Sequence, residues 1–341
     1  MNSVKDKANI WLAVGLVLLT LLIFSLSWYS YTYNKTFDQL TLFTPSGEWT
    51  ENNLAFVETG LKVKSDAPLE EKLEKLAQTL SEVYDGLPIV FLGVENSFGD
   101  QIAVFDLREK HELAQKTTAN REQNISDESE LISWQYLLES NSYEVNQVAN
   151  SITKSLLQSN YEADWIDGVR ILYEGERMPF YSAYSLYSTV YRTQIKDLSI
   201  LNIGDPLGTL KLSSKAFDEE RNAIYYTLEG EFTAYVNLVN GSDFDKVWIK
   251  FLESSIMKYN LELKYSWEDP ADVYIENFSS YFSIDNKDAF LMRLKMEKPE
   301  AYERYLKGER VMMKLKLNNV KSVCYYQSEY YNSLDFIDFI D

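Results

Sequence analysis

Four carboxylates and a tryptophan gather within residues 164–176: Asp164, Trp165, Asp167, Glu174 and Glu176, with Gly168 and Gly175 between them. Clustered acids beside an exposed indole could hydrolyse a glycosidic bond. One carboxyl would protonate the leaving oxygen while the second attacks the sugar or activates water. Asp, Glu and Gly are also the residues that tight turns select for backbone reasons. The chemistry therefore depends on whether two of these acids reach one cleft. Tyrosine is the other candidate. The chain holds 25 Tyr, with Tyr181, Tyr184, Tyr187 and Tyr191 in one segment and Tyr325 and Tyr326 in another. Such stripes grip sugars or proteins, or pack a sheet with their hydroxyls at its rim. Trp165, Asp167, Glu174, Glu176, Tyr181 and Tyr184 are the residues expected to form a ligand or partner surface.

Other chemistry is thinly supplied. His111 is the only histidine and Cys324 the only cysteine. A His-based metal site, a Ser-His-Asp triad and a Cys-His dyad lack their parts. Glycine-rich phosphate loops, G-x-S-x-G, H-E-x-x-H and paired C-x-x-C are absent from the sequence. Residues 285–288 lack the spacing and closing glutamate of a calcium loop. No catalytic, metal or cofactor residue is assigned, and no cofactor is expected. Cys324 sits in an apolar run and reads as a buried strand thiol.

The address is more legible. Residues 10–27 carry no charge and are almost wholly apolar, which marks a membrane-span candidate. Lys5 and Lys7 precede the run, with Trp11 at its start and Trp28, Tyr29 and Tyr31 at its exit, as an interfacial aromatic belt would stand. The run covers about 28 Å as a helix, close to the hydrocarbon thickness. The expected topology is a single pass, with residues 1–9 cytoplasmic and everything after the helix outside. A cleaved secretory signal, with the small residues Ser25 and Ser27, would give the same location. Only three of the 33 Lys and Arg and one of the 52 Asp and Glu precede Phe37, so the exported part is more acidic than the chain's net −19. That balance repels nucleic acid. With one Cys no intrachain disulfide can form, a usage that suits a bacterial envelope better than animal secretion.

The elements that must hold the candidate residues follow from periodicity. Leu69, Leu73, Leu76, Leu80 and Val83 mark one helix face, opened by Pro68 and closed by Asp85 and Gly86. Residues 89–94 and 102–107 then read as a hairpin. Val145, Val148, Ile152 and Leu156 mark a second helix, followed by a strand at 169–173 and a turn at 174–176. The plan of helix, strand, glycine turn and strand thus occurs twice. It predicts α+β architecture with helices on mostly antiparallel sheets. Short strands are expected at 54–57 and 61–63 around a turn at 58–60. Beyond Gly204, strand pairs are expected at 222–228 with 231–239 and at 311–317 with 320–326, and two short helices at 288–296 and 300–306. Residues 246–252 suit either a strand or a helix.

The full expectation is a transmembrane helix at 10–30, a juxtamembrane linker at 31–50, and an α+β domain at 51–200 with a polar insertion at 108–130. A second α+β domain follows at 206–330, and then a loosely held acidic tail at 331–341.

The run from Trp165 through Gly168, Val169 and Tyr173 to Glu176, with the helix before it, resembles the GerM-type sporulation and germination (GerMN) domain over roughly residues 50–195. The resemblance implies an exported, membrane-tethered α+β module of the bacterial envelope, and it carries no catalytic residues. The expected function is a noncatalytic, membrane-anchored envelope protein whose outer domains bind protein partners or peptidoglycan. The alternative is a glycan hydrolase using the carboxylates of 164–176.

Overall fold

The computed structural model describes residues 18–28, 36–46, 56–110, 133–139, 143–161, 164–178, 184–197, 200–218, 223–239, 246–263, 274–277, 281–325 and 330–340. Most of the expected polar insertion, from 111 onward, lies outside the described residues. The fold is mixed α+β, as expected, with two separate hydrophobic cores. The first is built almost wholly from residues before 192 and the second mostly from residues after 206.

The first domain opens with a hairpin, β1 (Phe37–Pro45) and β2 (Phe56–Lys64), antiparallel throughout. The expected linker at 31–50 is corrected here, since Leu40 and Leu42 of β1 are buried. So is the turn at 58–60. Those residues lie within one continuous strand, and Gly60 stands opposite Thr41. Glycine marks a close approach there, because a Cβ would run into the Gln39 side chain.

Helix α1 (Leu69–Val83) buries Leu73, Leu76, Ala77 and Leu80. Each large side chain so buried stabilises by about 1.5–3 kcal/mol. Val83, on the expected stripe, is exposed in the last turn. The helix ends where Asp85 and Gly86 take positive φ and the Gly86 N–H donates to Ser81 O. Strands β3 (Ile89–Ser97) and β4 (Asp100–Leu107) follow, joined by Phe98 and Gly99, both at positive φ. That is the two-residue turn whose twist suits a hairpin.

Helices α2 (Trp134–Glu139) and α3 (Tyr143–Leu157) carry the chain to β5 (Gly168–Tyr173), which lies parallel to β4. The centre of this sheet is therefore a parallel pair. A helical crossover between neighbouring strands returns the chain to start again in the same direction, and parallel pairing results. β6 (Glu176–Arg177) and β7 (Val190–Tyr191) both pair with β5, and α4 (Tyr184–Tyr187) lies between them. β8 (Gln194–Asp197) already belongs to the second half, pairing parallel with β13 (Tyr259–Leu263) beside β14 (Tyr274–Asn277).

The second domain is a ring of strands. β11 (Ala223–Val239) pairs along one edge with β16 (Val311–Tyr325). Its other edge is shared by β10 (Leu210–Asp218) and β12 (Trp248–Glu253). β12 continues through β15 (Tyr281–Ile284) and β17 (Tyr330–Ile340) back to β16. A ring of five strands cannot alternate direction all the way round, so one pair, β15 with β17, is parallel. The short β9 (Pro206–Leu207) extends the sheet beyond β10. Phe232, Phe251 and Phe282 pack ring to ring in this core. Helices α5 (Lys287–Glu297) and α6 (Pro299–Leu306), close to the expected bounds, bridge β15 to β16.

Three expectations are corrected by this ring. Residues 223–239 and 311–325 are not hairpins but two long strands paired with each other. The turn-like residues Glu229, Gly230 and Asn319 sit opposite one another at a bulge, where the register jumps from Leu228↔Val320 to Glu231↔Asn318. Positive φ at Gly230 and Asn319 bends both strands at one height instead of reversing them. Third, the tail is no loose end. Arg293 of α5 donates to Ile337 O at 2.8 Å and pairs with Asp338 at 2.6 Å, and Phe336 packs on Phe290. Within the ambiguous 246–252, the residues from Trp248 onward resolve as strand β12, because both flanking strands offer it a ladder.

Candidate functional site

The clustered acids of 164–176 are separated by the strand they flank. Asp164 and Asp167 precede β5, while Glu174 and Glu176 follow it. Seven residues of extended chain from Asp167 to Glu174 span about 23 Å. The carboxyl pairs of glycosidases stand within about 10 Å. Two of the acids hold backbone instead, and Asp164 and Glu176 are exposed. Asp167 Oδ2 accepts the Gln101 N–H at 2.8 Å, tying the starts of β4 and β5 together. Glu174 Oε1 accepts the Glu109 N–H at 2.6 Å. Buried Asp106 accepts the Gly175 N–H at 2.9 Å, so the turn is held from beneath. Glu176 is exposed at the turn.

Trp165 is buried, which corrects the expectation of an exposed indole. Its Nε1 donates to Leu156 O at 2.8 Å and its ring meets Tyr161 edge-on. Tyr184 opens α4, and Tyr181 lies outside the described residues, as do Trp11, Tyr29 and Tyr31.

The polar constellation that sequence reasoning missed joins the two domains. Glu253, 2 % exposed in its side chain, accepts from Arg170 and Arg177 of the first domain and from the Thr189 hydroxyl. Glu95 pairs with the outer nitrogen of Arg170 at 2.6 Å. Burial pushes the Glu253 carboxyl up. The hydrogen bonds from Arg170 and Ser97 and the nearby guanidinium charges outweigh it and hold the group below its ordinary value. Backbone and hydroxyl contacts continue the seam: Thr189 N–H donates to Leu252 O and Ser188 Oγ to Phe251 O. At its other end Lys258 donates to Asp100 at 2.6 Å. Burial raises the Asp100 carboxyl despite this bond. Burial pulls Lys258 down, but its hydrogen bond to Asp100 outweighs that and leaves the ammonium raised. Buried Lys250, lowered by desolvation, lies between the rings of Tyr187 and Tyr281. The hydrogen-bonded partners across this seam lie 63 to 158 positions apart in sequence, so no local spacing could have announced the cluster. Its carboxylate is sealed by cations. The arrangement fixes two domains and offers no base to a substrate.

Open surface lies elsewhere. A groove of about 740 Å³ runs between the end of β2, α1 and the start of β3, lined by Lys64, Glu71, Lys75 and Phe91 among others. At its rim Lys72 donates to Asp38 at 2.7 Å, and Tyr161 donates to the same oxygen at 2.5 Å. Burial raises the Asp38 carboxyl, but these donors bring it below its ordinary value; burial and Asp38 keep the Tyr161 phenol protonated. Among the described residues, no group of three His, Cys, Asp or Glu side chains is placed to hold a metal ion.

No helix among the described residues is long and apolar enough to cross a membrane. Residues 18–28 are helical, the described part of the expected span. Leu18, Leu19, Leu21, Leu22, Ile23, Phe24, Leu26 and Trp28 are 53–67 % exposed. No family model, curated protein or solved structure matches the chain.

Proposed function

We propose that this chain is a noncatalytic, single-pass membrane protein of a bacterial cell envelope, whose two outer domains bind protein partners or peptidoglycan. One observation carries the reading. The helical residues 18–28 expose large apolar side chains on every face, a surface that water does not tolerate and lipid does. Residues 10–27 extend that character to the length of a span. The lack of an assembled catalytic set among the described residues and the resemblance to GerMN-type modules support a binding role. The internal seam through Glu253 supports it too, since it presents both domains as one block.

Fractionation with protease protection tests the anchor. The full chain is expected in the membrane pellet, resistant to carbonate extraction, with its acidic domains cleaved by protease added outside intact cells. Recovery from the soluble cytosol would refute it. Binding to isolated peptidoglycan, and pull-down from solubilised membranes, test the role of the domains. Failure of both would refute that part alone.

A further inference from the structure

The β1–β2 hairpin has two edges, and they are treated oppositely. The outer edge of β1 is closed by side chains of α3 and its end. Gln158 acts as a substitute peptide, its Oε1 accepting the Thr41 N–H at 2.8 Å and its Nε2 donating to Thr41 O at 2.6 Å. Ser155 Oγ accepts the Phe43 N–H at 2.8 Å, and Ser151 Oγ donates to Phe43 O. Thr41 stands opposite Gly60 and Phe43 opposite Glu58. The backbone groups of Thr41 and Phe43 point away from β2, so those of Gly60 and Glu58 point away from β1. By alternation the same holds for Phe56, Lys62 and Lys64, although Lys64 O already accepts the Ala67 N–H at 3.2 Å, so the edge open to pairing ends at the Lys64 N–H. Among the described residues no strand pairs with that edge of β2. Val57, Glu58, Thr59, Gly60, Lys62 and Lys64 are all exposed. The other nearby edge, β3, is broken by a bulge at Leu92, a usual protection against strand addition.

The open edge is self-complementary. Antiparallel pairing of two β2 strands about a twofold at Gly60 sets Glu58 opposite Lys62 and Phe56 opposite Lys64. A twofold at Leu61 sets Glu58 opposite Lys64. Either way the outward N–H and C=O groups face one another, and opposite charges stand across the seam, the favourable cross-strand pairing.

We propose that β2 is a homotypic docking edge: two copies of this chain join through antiparallel β2–β2 pairing, which merges two hairpins into a four-stranded sheet. An isologous contact of this kind closes as a dimer. The inference does not rest on the membrane anchor, though tethering in one plane would raise the effective concentration of partners.

The test uses the full-length chain in detergent. Sedimentation is expected to give a dimer. Glu58→Pro removes an N–H that faces outward and leaves the β1–β2 ladder intact; it should reduce the dimer at least about tenfold with an unchanged circular-dichroism melt. Glu58→Lys alone, and Lys62→Glu with Lys64→Glu, should each give monomer, and the two mixed should give a heterodimer. Gly60→Cys made together with Gln39→Ala, which clears the space a Cβ needs there, or Leu61→Cys, whichever lies on the twofold, should oxidise to a covalent dimer, with the parent, its Gln39→Ala variant and the lone Cys324 as controls. A monomeric parent, a dimer indifferent to Glu58→Pro, or cross-linking to a different protein would overturn the proposal. Sedimentation reads the dimer equally well whether or not the chain proves membrane-bound.

Discussion

Arg170 meets Glu253 as a fork, Nη2 to Oε1 at 2.7 Å and Nε to Oε2 at 3.1 Å, across the boundary between the two domains. Two-point contact fixes an angle as well as a distance. The carboxylate is sealed from water, so removing a cation leaves a buried charge poorly matched. Arg170→Ala is expected to destabilise the chain by about 2–3 kcal/mol, at the lower end for a buried pair because Arg177 remains. Urea unfolding measures it. In a double-mutant cycle with Glu253→Gln the two losses should fall well short of additive.

The same carboxyl shapes the acid limb. Its folded pKa lies below the ordinary 4.5, so its contribution is whole above about 4.5 and is lost as pH falls through the lowered folded value. Asp100 runs the other way. Raised above 3.8, it lends stability below 3.8 that is lost as pH rises through its folded value. Stability of Glu253→Gln and parent, followed from pH 7 to pH 3, should therefore differ most at neutral pH and converge toward acid.

Gly230 and Gly175 both hold positive φ, in different surroundings. A Cβ on Gly230 would lie 2.6 Å from Thr209 O, whereas one on Gly175 would meet nothing within 4 Å. Gly175→Ala should cost about 1 kcal/mol, the left-handed penalty alone. Gly230→Ala should cost about 3 kcal/mol or more, because backbone must move. Thermal melts of the two variants separate the effects.

Gln158 replaces a strand at the edge of β1. Gln158→Leu keeps the bulk and strands the Thr41 N–H and C=O, which should cost about 1–3 kcal/mol. Hydrogen exchange should accelerate at Thr41 and stay slow in the distant β16.

Deleting residues 330–340 removes an internal strand, since β17 lies between β15 and β16. The second core should fail to form while the first, built from other residues, retains its own unfolding transition. Calorimetry of the deletion would show one transition in place of two.

Local pattern determined helices α1, α3, α5 and α6 and the turns at Gly86, Gly99 and Gly175, because amphipathic spacing and positive-φ residues act over one or two turns of chain; the short helices α2 and α4 carry too little periodicity to announce themselves. The apolar run at 10–27 is legible for the same reason. Tertiary structure decided the rest. Gly230 and Asn319 look like hairpin turns in isolation, and only the pairing of β11 with β16 makes them one shared bend. The residues of β17 read as an acidic tail until the ring needs a strand to close it. Trp165 reads as exposed beside its acids, yet a carbonyl of α3 claims its N–H. Arg170 and Glu253 lie 83 residues apart. Their pairing depends on how two separately formed cores come to rest against each other, and that is a property of packing that no short window of sequence contains.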